Sequence, residues 1–212
     1  MKKNIEIVVL LDKSGSMTSI WDSTIEGFNK FIIDQKEKTS DAKVSLIQFD
    51  HRYQVSYEFE GIQDVELLNK KLYIPEGTTA LLDAMGRTIQ NIHKQFSKQI
   101  DVPNVIFVVI TDGYENASTE YSQSTIKKLV KEMENNNNWQ FIYLGANQDA
   151  ITEGERIGFS NDRSMTFANN DTGVSSAFMS LSENVYQCLK MDKEFKFSDE
   201  DRNLQESAFK GN

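Results

Sequence analysis

Apolar residues along the chain follow two alternating rhythms, short unbroken runs and spacings of three and four. The run at 4–11 (NIEIVVLL) ends on Asp12 and predicts a strand. A small polar loop, Lys13–Ser19, follows. Ile20, Trp21, Ile25, Phe28, Phe31 and Ile32 then recur at helical spacing as far as Ile33. The runs 43–49 (KVSLIQF) and 53–59 (YQVSYEF) are separated only by Asp50-His51-Arg52, which predicts an antiparallel hairpin. A short helical piece is expected near 64–70, a turn at Pro75-Glu76-Gly77, and a second long helix on Leu81, Leu82, Met85, Ile89, Ile92 and Phe96.

Residues 104–110 form a continuous apolar run without alternation, the pattern of a central parallel strand covered on both faces. A helix at 122–135 runs into four asparagines, which suit a C-cap and turn. Strand 139–144, a helix near 148–156, a short strand at 163–167 and a helix at 172–190 complete the pattern. Strands alternating with helices predict an α/β, doubly wound fold: a mostly parallel six-stranded sheet with one antiparallel edge strand and helices on both faces. One domain is expected over residues 1–191. The remainder, 192–212, is charged and sparsely apolar and reads as a mobile or loosely docked tail.

Composition narrows the chemistry. A net charge of −9 without a basic stripe argues against nucleic-acid binding. One cysteine, Cys188, excludes an internal disulfide and a Cys-rich zinc site, and its helical apolar setting suits a core thiol. The two histidines, His51 and His93, lie far apart in sequence and give little support to a His-based zinc centre. The N-terminal apolar run is broken by Glu6 and stopped by Asp12, with no small-residue cleavage site beyond it. No segment has the ~18 apolar residues that span a bilayer. A soluble, cytoplasmic protein is expected.

Doubly wound folds place ligands at the carboxyl ends of their strands. There the first strand delivers Asp12-Lys13-Ser14-Gly15-Ser16, and the strand at 104–110 delivers Thr111-Asp112-Gly113. Two carboxylates brought together repel unless a cation or a proton intervenes. Ser14 and Ser16 can add neutral oxygens, while Gly15 and Gly113 allow tight turns. Hard oxygen donors with few carboxylates suit magnesium or manganese better than calcium, and much better than zinc.

Three motifs in order, Asp12-Lys-Ser14-Gly-Ser16, Gly77-Thr78-Thr79 and Ile110-Thr111-Asp112-Gly113, resemble the von Willebrand factor A domain family. The resemblance runs from residue 4 to about residue 190. It implies that Asp12, Ser14, Ser16, Thr79 and Asp112 form a metal-ion-dependent adhesion site, with Mg2+ as the expected cation and Mn2+ or Ca2+ as alternatives. It further implies a protein partner that presents Asp or Glu to the metal, without catalysis, in the setting of intracellular bacterial or phage members. Rival readings are a structural subunit whose metal only stabilises the loops, and a metal-assisted phosphoryl or ester hydrolase. The hydrolase reading lacks a nucleophile–base pair, a catalytic His and a phosphate-cradling loop.

Other residues near these motifs have simpler readings. Lys13 is expected as a solvated loop lysine, and His51-Arg52 as a hairpin tip away from the metal loops. Asp83 suits the first turn of a helix. Glu115 and Asn116 are candidates for the cleft rim, and Tyr114 for partner contact. Asn147 or Asp149 suits an N-cap, and Trp21 and Trp139 suit the core.

Overall fold

The computed structural model describes residues 4–146, 149–191 and 193–211. Its centre is a six-stranded sheet with strand order β3-β2-β1-β4-β5-β6. The strands are β1 (Ile5–Asp12), β2 (Ala42–Phe49), β3 (Tyr53–Gly61), β4 (Asn104–Thr111), β5 (Trp139–Ala146) and β6 (Ser164–Phe167). All neighbours pair in parallel except β2 and β3, so β3 is the antiparallel edge strand that the hairpin pattern predicts. Every residue of β1 is buried, as is β4 beyond Asn104, which explains the unbroken apolar runs: both faces of the central strands are covered.

The helices are α1 (Trp21–Lys38), α2 (Leu81–Phe96), α3 (Gln123–Asn137), α4 (Ala150–Ile157), α5 (Asp171–Met191) and α6 (Asp199–Lys210). One core layer lies between the sheet and α1 with α5, and contains Ile7, Val9, Leu11, Phe28, Phe31, Leu181 and Val185. The other lies beneath α2, α3 and α4 and contains Val8, Leu10, Phe107, Phe141, Ile89 and Val130. Alternate residues of β1 thus serve opposite layers, as strand geometry requires. Cys188 and Trp139 are buried, whereas Trp21 is half-buried and donates from Nε1 to the Tyr73 carbonyl at 2.8 Å. Asn138 is the left-handed C-cap of α3 (φ 55°), in the asparagine run that suggested a stop. Asp149 caps α4 through the Thr152 N–H, while Asn147 lies outside the described residues. Among the described residues no helix is long and apolar enough to cross a membrane.

Two expectations fail. No helix forms at 64–70, because α1 offers that segment better partners than its own backbone does. Asn29 exchanges two hydrogen bonds with the backbone of Leu68, and Lys36 Nζ donates to the Val65 carbonyl. Val65 and Leu68 are buried from an irregular loop.

The charged tail is also not loose. Phe195 and Phe197 are buried and meet edge-to-face with ring centroids 4.9 Å apart. Ser198 and Asp201 then form a reciprocal capping box that starts α6. From α6, Gln205 accepts the Ala168 N–H and donates to the Gly173 carbonyl, and Arg202 donates to the Ser164 carbonyl. Few apolar residues are needed when two phenylalanines and a buried glutamine do the docking.

Candidate metal centre

The parallel register places the ends of β1 and β4 side by side, with Leu11 opposite Ile110. Asp12 is therefore the last residue of β1, fully buried, and Asp112 lies just past the end of β4, half-buried. Each aspartate is gripped by its neighbours. Thr111 Oγ1 donates to Asp12 Oδ2 at 2.5 Å, and the Ser14 N–H donates to Asp12 Oδ1 at 2.6 Å. Ser16 Oγ donates to Asp112 Oδ1 at 2.5 Å and lies 3.1 Å from Ser14 Oγ. Tyr73, buried behind the loop, donates its hydroxyl to the Asp12 carbonyl at 2.7 Å.

Thr79 arrives from the other side. A Cβ placed on Gly113 would stand 2.9 Å from Thr79 Oγ1, 3.4 Å from Ser16 Oγ and 3.6 Å from Ser14 Oγ. Three hydroxyls thus close around a position that only glycine fits without displacement. The five residues singled out in the sequence converge at one cleft.

The electrostatics follow from burial. Loss of hydration pushes the Asp12 carboxyl up to about 7, with the Asp112 charge adding to it and the Thr111 and Ser14 hydrogen bonds opposing it. Burial also raises Asp112, against the pull of Ser16. A divalent cation would relieve both carboxylates, and the donor set, two carboxylates with three hydroxyls, fits a hard cation that keeps some of its water. Among the described residues no group of three or more His, Cys, Asp or Glu side chains comes together elsewhere as a rival metal site.

Three loops are laced around the cleft. The Glu76 N–H donates to the Lys13 carbonyl at 2.8 Å, and the Gly15 N–H to the Gly77 carbonyl at 3.0 Å. Gly77 has φ +74°, a conformation glycine adopts freely, and the His51 ring would clash with any Cβ there. The hairpin tip therefore sits beside the metal loops, contrary to expectation. The reason is topological: β2 runs parallel to β1, so the turn after it emerges at the same carboxyl edge, with Phe49 opposite Asp12.

Asp50, fully buried, organises this flank. Burial works to raise its carboxyl, but hydrogen bonds from the Arg52 side chain and backbone outweigh that and hold it below the usual range. Arg52 reaches on to Glu76. The Asp50 carbonyl accepts the Ala80 N–H, next to Thr79. Lys13 is not a solvated lysine either: it is buried, with Nζ 3.0 Å from Gln54 Oε1 and 3.8 Å from Asp50 Oδ2.

On the opposite flank, Glu115 and Asn116 do more than line a rim. The backbone N–H groups at the start of α2 lack a local cap; Leu82 donates to Glu115 Oε2 and Asp83 to Ser118 Oγ. Asp83 in turn accepts the N–H groups of Thr119, Glu120 and Tyr121. Burial tends to raise its carboxyl, yet those three donors bring it below the ordinary value. Its role is to fix the loop after Asp112 against the helix after Thr79.

A family model described as the von Willebrand factor type A domain matches residues 6–180. The chain belongs to that family. Solved structures agree in fold. Proximal thread matrix protein 1 from the mussel byssus, in a form described as having a zinc-occupied MIDAS motif, superposes with a TM-score of 0.65 at 18% identity, covering 87% of this chain and 48% of that one. The pilus adhesin SpaC from Lactobacillus rhamnosus GG gives 0.66 at 12% identity, covering 88% and 30%. The vWF domain of the pilus tip protein Mfa5 from Porphyromonas gingivalis gives 0.65 at 11% identity, covering 90% and 97%. This von Willebrand A chain thus spans less than half the length of the mussel protein and of the adhesin, and nearly all of the Mfa5 domain. A search of curated proteins finds no match.

Proposed function

We propose that this von Willebrand A chain is a non-enzymatic interaction module in which Asp12, Ser14, Ser16, Thr79 and Asp112 hold a divalent cation for a partner's carboxylate. Magnesium is the first candidate, with manganese or calcium as alternatives. The observation that carries the reading is the closure of three hydroxyls on Gly113 beside two carboxylates, one of them fully buried. A bound cation would supply an electrophilic position for an incoming Asp or Glu side chain. The chain's own residues hold that position: Thr111 and the Ser14 N–H orient Asp12, Ser16 orients Asp112, and the Asn116 loop orients Thr79.

Support against hydrolysis comes from the hydroxyls' partners. Ser14 and Ser16 interact with each other and with Asp112, while His51 lies against Gly77 and Asp50. Among the described residues neither serine is paired with an imidazole, and the carboxylate that Ser16 meets belongs to the proposed metal donor set.

The test is a pull-down from the native host in magnesium and in EDTA, with Asp12→Ala alongside and thermal melts of both proteins. A protein retained only by the wild type with metal supports the bridging reading. Retention indifferent to EDTA and to Asp12→Ala overturns it. A variant that loses binding because it unfolds favours the structural-subunit reading.

A further inference from the structure

We propose that a hollow beside the metal cleft receives an aromatic side chain from the same partner segment whose carboxylate meets the cation; this rests on the metal-bridging reading above. The cavity, about 320 Å³, is lined by Leu81, Leu82, Tyr114, Tyr143, Arg156 and Ile157, among others. Its size lies at the small end of the ~300–1,000 Å³ range of ligand pockets, suited to one bulky side chain rather than a long segment.

The cavity continues the walls of the cleft. Leu81 and Leu82 come two and three residues after Thr79, and Tyr114 comes two residues after Asp112. Tyr114 is 58% exposed, while Tyr143 and Ile157 at the floor are buried. The Glu115 carboxylate in this wall is occupied by the N–H groups of Leu82, Ala117 and Ser118, so its charge is already compensated where an apolar guest would rest. Two tyrosine rings favour an aromatic guest over an aliphatic one through ring packing, while the Arg156 guanidinium in the lining is held by Glu153 at 2.6 Å.

The opposite flank is built differently. There Arg52 ties Asp50 to Glu76 and His51 is seated on Gly77, a surface of paired charges. The two flanks differ, so a bound segment has a direction: acidic residue on the cation, aromatic neighbour toward α4.

Blocked tetrapeptides Gly-Asp-Phe-Gly, Gly-Phe-Asp-Gly, Gly-Asp-Ala-Gly and Gly-Asn-Phe-Gly, titrated into the isotope-labelled full chain in magnesium, test this. Amide shifts report affinity and location. One of the two Asp/Phe peptides should bind about 10-fold tighter than Gly-Asp-Ala-Gly, the order expected for burying one phenyl ring, with shifts at Leu82, Tyr114 and Ile157. The Asn peptide should lose binding. Tyr114→Ala should remove the phenylalanine advantage and leave manganese affinity, read by the free-ion resonance signal, unchanged. Equal affinities for the Phe and Ala peptides, with normal manganese binding, overturn the cavity inference and leave the metal reading standing. Failure to bind manganese overturns the metal reading itself. Manganese binding without affinity for any Asp peptide overturns the carboxylate bridge and the cavity inference with it.

Discussion

Thr79 and Asn116 hold each other by two hydrogen bonds, the Thr79 N–H to Asn116 Oδ1 and the Asn116 N–H to the Thr79 carbonyl, both 3.0 Å. This reciprocal pair aligns one hydroxyl of the cleft with the loop that carries Asp112. Groups that orient metal ligands typically contribute ~10–100-fold to affinity. Asn116→Ala should therefore weaken manganese binding by about 10-fold. Asn116→Asp, which keeps the acceptor, should retain most of it. Calorimetric titration of the three proteins checks this, and identical affinities would show that Thr79 needs no such support.

Gly113→Ala should harm the site more than the fold. The added methyl would meet Thr79 Oγ1 at 2.9 Å, inside normal contact distance, and would press on Ser16 and Ser14. Because Gly113 is half-buried at the surface, the surrounding loops can shift outward. The expected result is loss of manganese binding by at least about 10-fold with a melting temperature within a few degrees of wild type. Normal metal binding in a normally folded Gly113→Ala protein would refute the crowding argument.

Glu6 sets a pH dependence at the other end of β1. It is buried, accepts a 2.6 Å hydrogen bond from Ser45, and Ser45 also accepts the Phe59 N–H. Burial raises its carboxyl to about 7 from 4.5, against the opposing Ser45 hydrogen bond. Between those values the folded state holds more proton than the unfolded state, so stability falls as pH rises from 4.5 to about 7 and is level above that. The span corresponds to on the order of 3 kcal/mol. Glu6→Gln, which cannot ionise, should lack this decline and be the more stable protein at pH 8. Urea unfolding of both at several pH values gives the difference directly; parallel curves would mean that Glu6 titrates normally.

Phe195 should be a genuine core residue despite its place in a charged segment. Its ring is fully buried and its N–H donates to Gln140 Oε1 at 2.6 Å. Phe195→Ala is expected to destabilise the chain by ~3–5 kcal/mol. A change below about 1 kcal/mol in denaturant unfolding would restore the picture of a loose tail.

What the sequence made legible was what local pattern determines. The unbroken runs of β1 and β4 announced buried parallel strands, and the alternation of rhythms announced the doubly wound sheet. Asp12, Ser14, Ser16 and Asp112 could be picked out as candidates because strand ends carry ligands in such sheets, and Thr79 because of the family resemblance. The supporting groups were hidden for a different reason. Arg52, Asn116 and Glu115 act on residues 24 to 37 positions away, in the pairs Arg52–Glu76, Glu115–Leu82 and Asn116–Thr79, and nothing in a single sequence reveals such pairings. The position of the hairpin tip depended on β2 pairing in parallel with β1, a long-range fact. The sixth helix was different: Ser198 and Asp201 stand in capping-box spacing, a signal that local reading could have used.

The covering of β6 by α6 bears on how copies of this chain can associate. At one border of the sheet α6 packs beside β6, with Arg202 donating to the Ser164 carbonyl of that strand. The other border, β3, is exposed along most of its length and carries Glu58 and Glu60. Association through strand pairing consumes one free border per molecule. Two copies joined at β3 would have none left, so growth by this route terminates at a pair instead of propagating into a fibre.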